Sequence, residues 1–254
     1  MRRTNKKDDR FYTKLNRLNQ RVDWNLLEGK FHKAVKLLRS IVRLCEKRGK
    51  KTHQGLTAFR LATVYQNVMS YEEAISYFKV ALKCLDAPGA PMTKTVCEIY
   101  RGLYACYNAI AEEEEALKYA MLICEFNGLS RMEKAEISQA IAKQLLKMYE
   151  QRGNITHVIR GLTYAKDAVH LYEKEEVKGI PYVEALLSCG DLFFHLREYD
   201  KALNYLNQAY EHAEALEANR TLISRICFLM SRVYALSGDE ERSLFYRHRS
   251  LEFA

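Results

Sequence analysis

Residues 61–81 read Leu61-Ala62-x-x-Tyr65 … Tyr71-x-x-Ala74-x-x-x-Phe78-x-x-Ala81, and residues 190–209 read Gly190-x-x-Phe193 … Tyr199-x-x-Ala202-x-x-x-Leu206-x-x-Ala209. Apolar residues three and four apart share one face of a 3.6-residue helix, so each stretch reads as two amphipathic helices joined by a tight turn. Small residues stand where the paired helices must come closest: Ala62 against Ala74, and Gly190 against Ala202. A side chain larger than a methyl group at those places would hold the helices apart.

Working outward, the same frame recurs along the chain. Aligned on one residue near the start of each second helix, the repeats fall at Ala34, Ala74, Ala116, Val158, Ala202 and Ser243, with spacings of 40, 42, 42, 44 and 41. A period in this range denotes a solenoid, in which each unit buries its apolar face only by stacking on its neighbours. The pattern resembles the tetratricopeptide repeat (TPR), whose common period is about 34 residues. The longer units here are similar to those of kinesin light chain, the spindle-orientation adaptors and the bacterial Rap-type peptide receptors. The resemblance implies an all-α fold: a right-handed α-solenoid of stacked antiparallel helix pairs, a TPR superhelix. About six pairs would occupy residues 13–254, behind a basic flexible tail at residues 1–12.

Local signals fix parts of the frame. Ser70-Tyr71-Glu72-Glu73 and Ser130-Arg131-Met132-Glu133 both read as capping boxes opening a helix. Asn127-Gly128 closes the helix before the second box. Pro88-Gly89-Ala90-Pro91 and Gly179-Ile180-Pro181 read as links between repeats. Tyr104 takes the place of the usual small residue in the third repeat and is expected to push its helices apart. In the fourth, Leu146 and Val158 replace the small pair, Gly153 marks the turn, and the second helix is predicted from about Thr156 to Lys174. The first repeat keeps its apolar stripe at Leu15, Leu18, Val22 and Leu26, without the usual aromatic. Nothing polar follows the sixth repeat as a cap, so Cys227, Phe228, Met230, Tyr234, Leu244 and Leu251 are expected to present an apolar end to a partner or to a second copy of the chain.

Composition narrows the function. The chain has 254 residues, 48% of them hydrophobic, with three prolines and a net charge of +8, which marks a folded helical protein and not a disordered one. No run of eighteen apolar residues exists to span a bilayer. The basic first residues lack the apolar stretch of a secretory signal. Seven cysteines form no Cys-x-x-Cys pair. Five of them (Cys84, Cys97, Cys106, Cys189 and Cys227) fall on apolar helix faces, as small buried hydrophobes in a reducing, cytoplasmic compartment would. The first ten residues hold five Lys or Arg against two Asp. They form either a solvated tail or a tether to nucleic acid, anionic lipid or an acidic protein tail.

Motifs of chemistry are absent. No phosphate-binding glycine loop occurs among eleven glycines, and the seven histidines are scattered, so no nucleotide cofactor and no metal is expected. Glu112-Glu113-Glu114-Glu115 sits at a helix start, where carboxylates favour the positive helix end. Pentatricopeptide-type RNA reading is disfavoured by the 40–44 period, so nucleic acid is not the expected partner. We expect no enzyme.

The TPR resemblance implies instead a groove lined by the first helices. By register its polar positions are Thr63, Gln66, Arg101, Asn108, Lys143, Lys147, Asp191, His195, Arg225 and Arg232, with apolar Phe59, Leu187, Phe194 and Phe228 among them. Such a lining suits a protein or peptide segment that is acidic with apolar anchors. Asn16, Asn19 and Asp23 in the first repeat depart from the family's two-carboxylate clamp. The expected function is a non-catalytic adaptor or scaffold. The alternatives are a subunit of a large cytoskeletal or ciliary assembly docking through its ends, and a bacterial peptide-sensing module, which would carry an effector part before the repeats.

Overall fold

The computed structural model describes residues 6–86, 92–217 and 219–253, and every regular element among them is an α-helix. Six helices lead up to residue 124: α1 (Lys6–Leu27), α2 (Phe31–Lys47), α3 (Lys51–Asn67), α4 (Tyr71–Leu85), α5 (Lys94–Ala109) and α6 (Glu113–Cys124). Six more follow: α7 (Arg131–Arg152), α8 (Ile155–Lys174), α9 (Ile180–His195), α10 (Tyr199–Ala215), α11 (Arg220–Ser237) and α12 (Glu240–Glu252). They gather into two compact bodies, residues 1–123 and 124–254. Within each body a helix packs on the next, and alternate helices also touch: α3 on α5, α7 on α9, α9 on α11. This is the packing of stacked antiparallel helix pairs, an all-α TPR solenoid.

The turns carry the repeat in their backbone. Gly29, Met69, Ala111, Gly153, Arg197 and Gly238 all have φ between 59° and 86°. Each stands five residues before the alignment residue of its repeat, so backbone geometry reproduces the register read from side chains. In five of the six turns the next residue's N–H reaches back to close the preceding helix: Lys30 to the Asn25 carbonyl, Ser70 to Tyr65, Glu112 to Tyr107, Glu198 to Phe193 and Asp239 to Tyr234. These are Schellman closures. In the fourth repeat Gly153 itself donates to Tyr149 at 2.7 Å.

That closure corrects one expectation. Ser130 forms its capping box, its hydroxyl accepting from the Glu133 N–H while Glu133 accepts from the Ser130 N–H at 2.9 Å. Ser70 makes no side-chain cap. Its own N–H is already given to Tyr65, and its ψ of 72° differs from the 161° at Ser130. A sequence box at a two-residue turn is thus overruled by the turn.

A second regularity was not anticipated. Aromatic residues twelve apart stack across the two helices of four repeats: Tyr65 on Tyr77, Tyr107 on Tyr119, Phe193 on Tyr205 and Tyr234 on Tyr246, with centroids 5.5–5.7 Å apart. A cation covers the first ring of each: Arg39, Lys79, Lys166 and Arg242. In the fourth repeat the twelfth residue after Tyr149 is Gly161, and Tyr149 meets His195 at 4.9 Å instead.

The small pair is displaced there too. A β-carbon on Gly161 would stand 3.5 Å from the Ala142 carbonyl and from Leu145. The close crossing has moved about one turn away from the loop, from the expected Leu146–Val158 to Ala142–Gly161. α8 runs within one residue of its predicted bounds. The expected pairs elsewhere hold: Ala62, Ala74 and Ala202 are fully buried, and Gly190 lies against Leu206 and the Ala202 carbonyl.

At the front, α1 begins at Lys6, so residues 6–12 are helical and not tail. Phe11 is buried, but the place of the usual aromatic, nine residues before Ala34, is held by Asn25. Residues 1–5 and the Pro88–Pro91 link lie outside the described residues. At the other end, Cys227, Met230 and Tyr234 are buried, not exposed as expected, because α11 packs on α9 and α10 as well as on α12, where Tyr234 stacks on Tyr246. Phe228, Leu244 and Leu251 are exposed, and Phe245 joins them.

Candidate protein-interaction grooves

The two bodies present different hollows. In the first, Leu26, Phe31, Leu56, Phe59, Arg60, Thr63, Val64 and Asn67 line an open pocket of about 620 Å³. Its lining is chiefly apolar, and Phe31 and Leu56 stay nearly half exposed. Arg60 is paired with Asp23 of α1. Phe59 and Thr63, two of the residues named from the sequence, are among the pocket's lining. Gln66 does not line this pocket, Asn108 is exposed on α5, and Arg101 is half-buried.

In the second body, α7, α9 and α11 frame two adjoining hollows of about 340 and 300 Å³ that share Glu150, Leu187, Asp191 and Arg225. Lys143, Lys147, Leu187, Asp191, His195, Arg225, Phe228 and Arg232 all line them. Eight register positions thus converge on one groove. Phe194 is the exception. It is buried beneath the rim, with the Arg232 guanidinium 4.5 Å above its ring. Phe228 is 55% exposed and lies 5.9 Å from the same guanidinium.

The groove carries more negative charge than Asp191 alone. Glu150 and Glu184 also line it. Lys143 is paired with Glu184 at 2.6 Å, and Glu184 accepts from Gln139 Nε2 at 3.2 Å. The buried Tyr172 hydroxyl donates in turn to Gln139 Oε1 at 3.1 Å. This chain of bonds runs from α8 through α7 to α9 and fixes the Glu184 carboxylate at the groove floor. Asp191 lies 3.4 Å from His195 Nε2. Arg225 makes no ion pair among the described residues, so it and Arg232 are the cations best placed to take a ligand carboxylate. Glu150 and Glu184 were legible in the sequence, since both fall on the groove side of their helices.

The cysteines are all free. Burial pushes the Cys189 thiol up to about 12 and those of Cys106 and Cys227 to about 11. They are poor nucleophiles near neutrality. Among the described residues no cluster of His, Cys, Asp and Glu is placed to hold a metal ion, and no helix is long and apolar enough to cross a membrane.

No family model and no curated protein sequence matches the chain. Solved structures do. BtubC (BKLC) from P. vanneervenii superposes with a TM-score of 0.63 at 17% identity, over 93% of this chain and 90% of that one. YrrB, described as a TPR protein with an unusual peptide-binding site, gives 0.59 at 15% identity, over 84% and 91%. The TPR-like repeats of a putative kinesin light chain from Podosopora anserina give 0.57 at 14% identity, over 81% and 98%. At such identities the likeness is one of fold. The chain thus has the fold of a tetratricopeptide-repeat solenoid, similar to that of the kinesin light chain repeats.

Proposed function

We propose that the chain is a non-catalytic interaction scaffold and that the groove of its second body holds a partner segment. The observation that carries this reading is the convergence of exposed Phe228 with Arg225 and Arg232 in one hollow, adjoining a second in which the Tyr172–Gln139–Glu184 bonds hold a carboxylate in place. Rigid polar groups beside an exposed aromatic suit an extended segment offering a carboxylate and an apolar anchor by turns. The mixed lining narrows the partner: Glu150, Glu184 and Asp191 would repel a uniformly acidic segment, so isolated acidic residues fit better than an acidic run. Peptide binding by YrrB is in keeping with the reading, as are free thiols with an intracellular location. The test compares partners recovered with the parent and with a Phe228→Glu, Arg232→Glu variant that keeps its helical signal. Loss of the parent's partners supports groove binding; their undiminished recovery overturns it.

A second reading rests on α12. Its outward side exposes Leu244, Phe245 and Leu251 at 56%, 60% and 68%, which suits docking of a partner or a second copy on this helix. Sedimentation of the protein at high concentration tests the second copy, which a strictly monomeric protein would exclude.

A further inference from the structure

The excess of positive charge in this chain lies at one end of the sequence. Residues 1–60 contain eighteen Lys and Arg against five Asp and Glu, whereas the remaining residues hold twenty-two against twenty-seven. The net charge of +8 therefore conceals a strongly basic opening and an acidic remainder.

Structure arranges that charge. Arg10, Lys14, Arg17, Arg21 and Trp24 are spaced by four, three, four and three residues on α1. Such spacing places them on one stripe about 21 Å long. All five are exposed, and none of the four cations takes part in an ion pair among the described residues. The core stripe of α1 (Phe11, Leu15, Val22) lies on another side. On α2, packed against α1, Lys33, Lys36, Arg43 and Lys47 follow the same kind of spacing and are likewise exposed and unpaired. Three of the five carboxylates in residues 1–60 are taken, Asp8 by Lys50, Asp23 by Arg60 and Glu28 by Lys30, which leaves Asp9 and Glu46 against the eight cations.

The α1 stripe ends in apolar groups. Trp24 is 63% exposed and Leu27, one helical turn on, is 85% exposed. Leaving both in water costs free energy unless something apolar covers them. Trp24 is the only tryptophan of the chain. Its amphipathic ring suits the boundary between headgroups and acyl chains.

We propose that this face of α1 is a docking surface for an anionic lipid bilayer. Arg10, Lys14, Arg17 and Arg21 lie among the headgroups, the α2 cations add to the attraction, and Trp24 with Leu27 enters the interface. Polybasic attraction and shallow apolar insertion are the two signals that reversible membrane association requires. A nucleic acid or an acidic protein tail would use the cations but leave Trp24 and Leu27 without a role. The helix lies on the membrane and does not cross it. The inference is independent of the groove.

Cosedimentation of the whole chain with phosphatidylcholine vesicles tests it, with and without about 30% phosphatidylserine at low salt. Binding is expected only with phosphatidylserine, should weaken as salt shortens the Debye length, and should shift Trp24 emission to the blue. Reversing Arg10, Lys14, Arg17 and Arg21 to Glu should weaken binding by more than about a hundredfold. The four-fold Gln variant should weaken it less, and its circular dichroism guards against misfolding. Reversing Lys178 and Arg247 in the second body should leave it unchanged. The proposal is overturned if the protein stays in the supernatant with phosphatidylserine vesicles. It is equally overturned if the protein sediments with Trp24 emission unshifted, or if duplex DNA or polyglutamate binds it and the vesicles do not.

Discussion

Replacing Gly102 by Ala sets two effects against each other, and the structure decides between them. Gly102 lies in the middle of α5, where alanine is the better helix former by about 1 kcal/mol. A β-carbon there, however, would stand 2.3 Å from Cζ of Phe78 and 2.7 Å from two further ring atoms. Phe78 is 1% exposed and packed against Phe59, so its ring has nowhere to turn. Overpacking a filled core costs about 1–3 kcal/mol, and a contact as short as 2.3 Å belongs at the upper end of that range, which leaves a net loss of about 2 kcal/mol after the helical gain. Two other glycines calibrate the argument. At Gly190 the nearest atoms belong to the Leu206 side chain at 2.7 Å, and at Gly161 the nearest is Leu192 Cδ2 at 3.2 Å. The loss on substitution by alanine should therefore fall in the order Gly102, Gly190, Gly161, and Gly161→Ala should stabilise by up to about 1 kcal/mol. Urea unfolding followed by far-ultraviolet circular dichroism reads all three, with a Phe78→Leu, Gly102→Ala double variant in a mutant cycle. A coupling of at least about 1 kcal/mol that relieves the Gly102→Ala defect is expected. A Gly102→Ala protein as stable as the parent, or an additive double variant, would refute the claim that close helix contacts limit residue size in these repeats.

The remaining predictions concern turns, caps and protons. Ser130→Ala should cost about 1 kcal/mol, whereas Ser70→Ala should cost almost nothing because Ser70 makes no cap; equal losses in paired denaturation curves would contradict the assignment. Arg197→Gly should raise stability by about 1 kcal/mol, since Arg197 holds a left-handed φ of 60° that disfavours a β-carbon; an unchanged urea midpoint would count against it. Cys189, held at about 12 by burial, keeps its proton where the unfolded thiol loses it near pH 9. The stability this group contributes is present below about pH 9 and is lost as the pH rises toward 12, and Cys189→Ala should make the alkaline decline shallower.

Much of the architecture was legible because the frame is written in small residues and periodic apolar ones. The alignment residues of all six repeats recur five places after a left-handed turn residue, including Ala111 and Arg197, which no turn propensity would pick out. What escaped was whatever depends on partners distant in sequence. Lys143 looked like a free groove cation because Glu184, its partner, stands 41 residues on. The shift of the fourth crossing to Ala142–Gly161 followed from helix length, and a fixed register did not allow for it. Ser70 makes no cap because its N–H is committed to the Tyr65 carbonyl, a bond that the local motif does not display. The stacked rings at twelve-residue spacing were visible in the sequence all along; Tyr65–Tyr77 and Tyr107–Tyr119 needed only to be counted.

The central claim, that the groove of the second body holds a partner segment, is tested most directly by photo-crosslinking. A benzophenone amino acid placed at Phe228 is irradiated in cells, and the same group at exposed Glu211 on α10 serves as the control. The account predicts discrete crosslinked species from the Phe228 position, mapping to one partner segment that carries carboxylates beside an apolar residue, and none from Glu211. Crosslinks from Glu211 with none from Phe228 would contradict it and move the binding surface to the other side of the repeats.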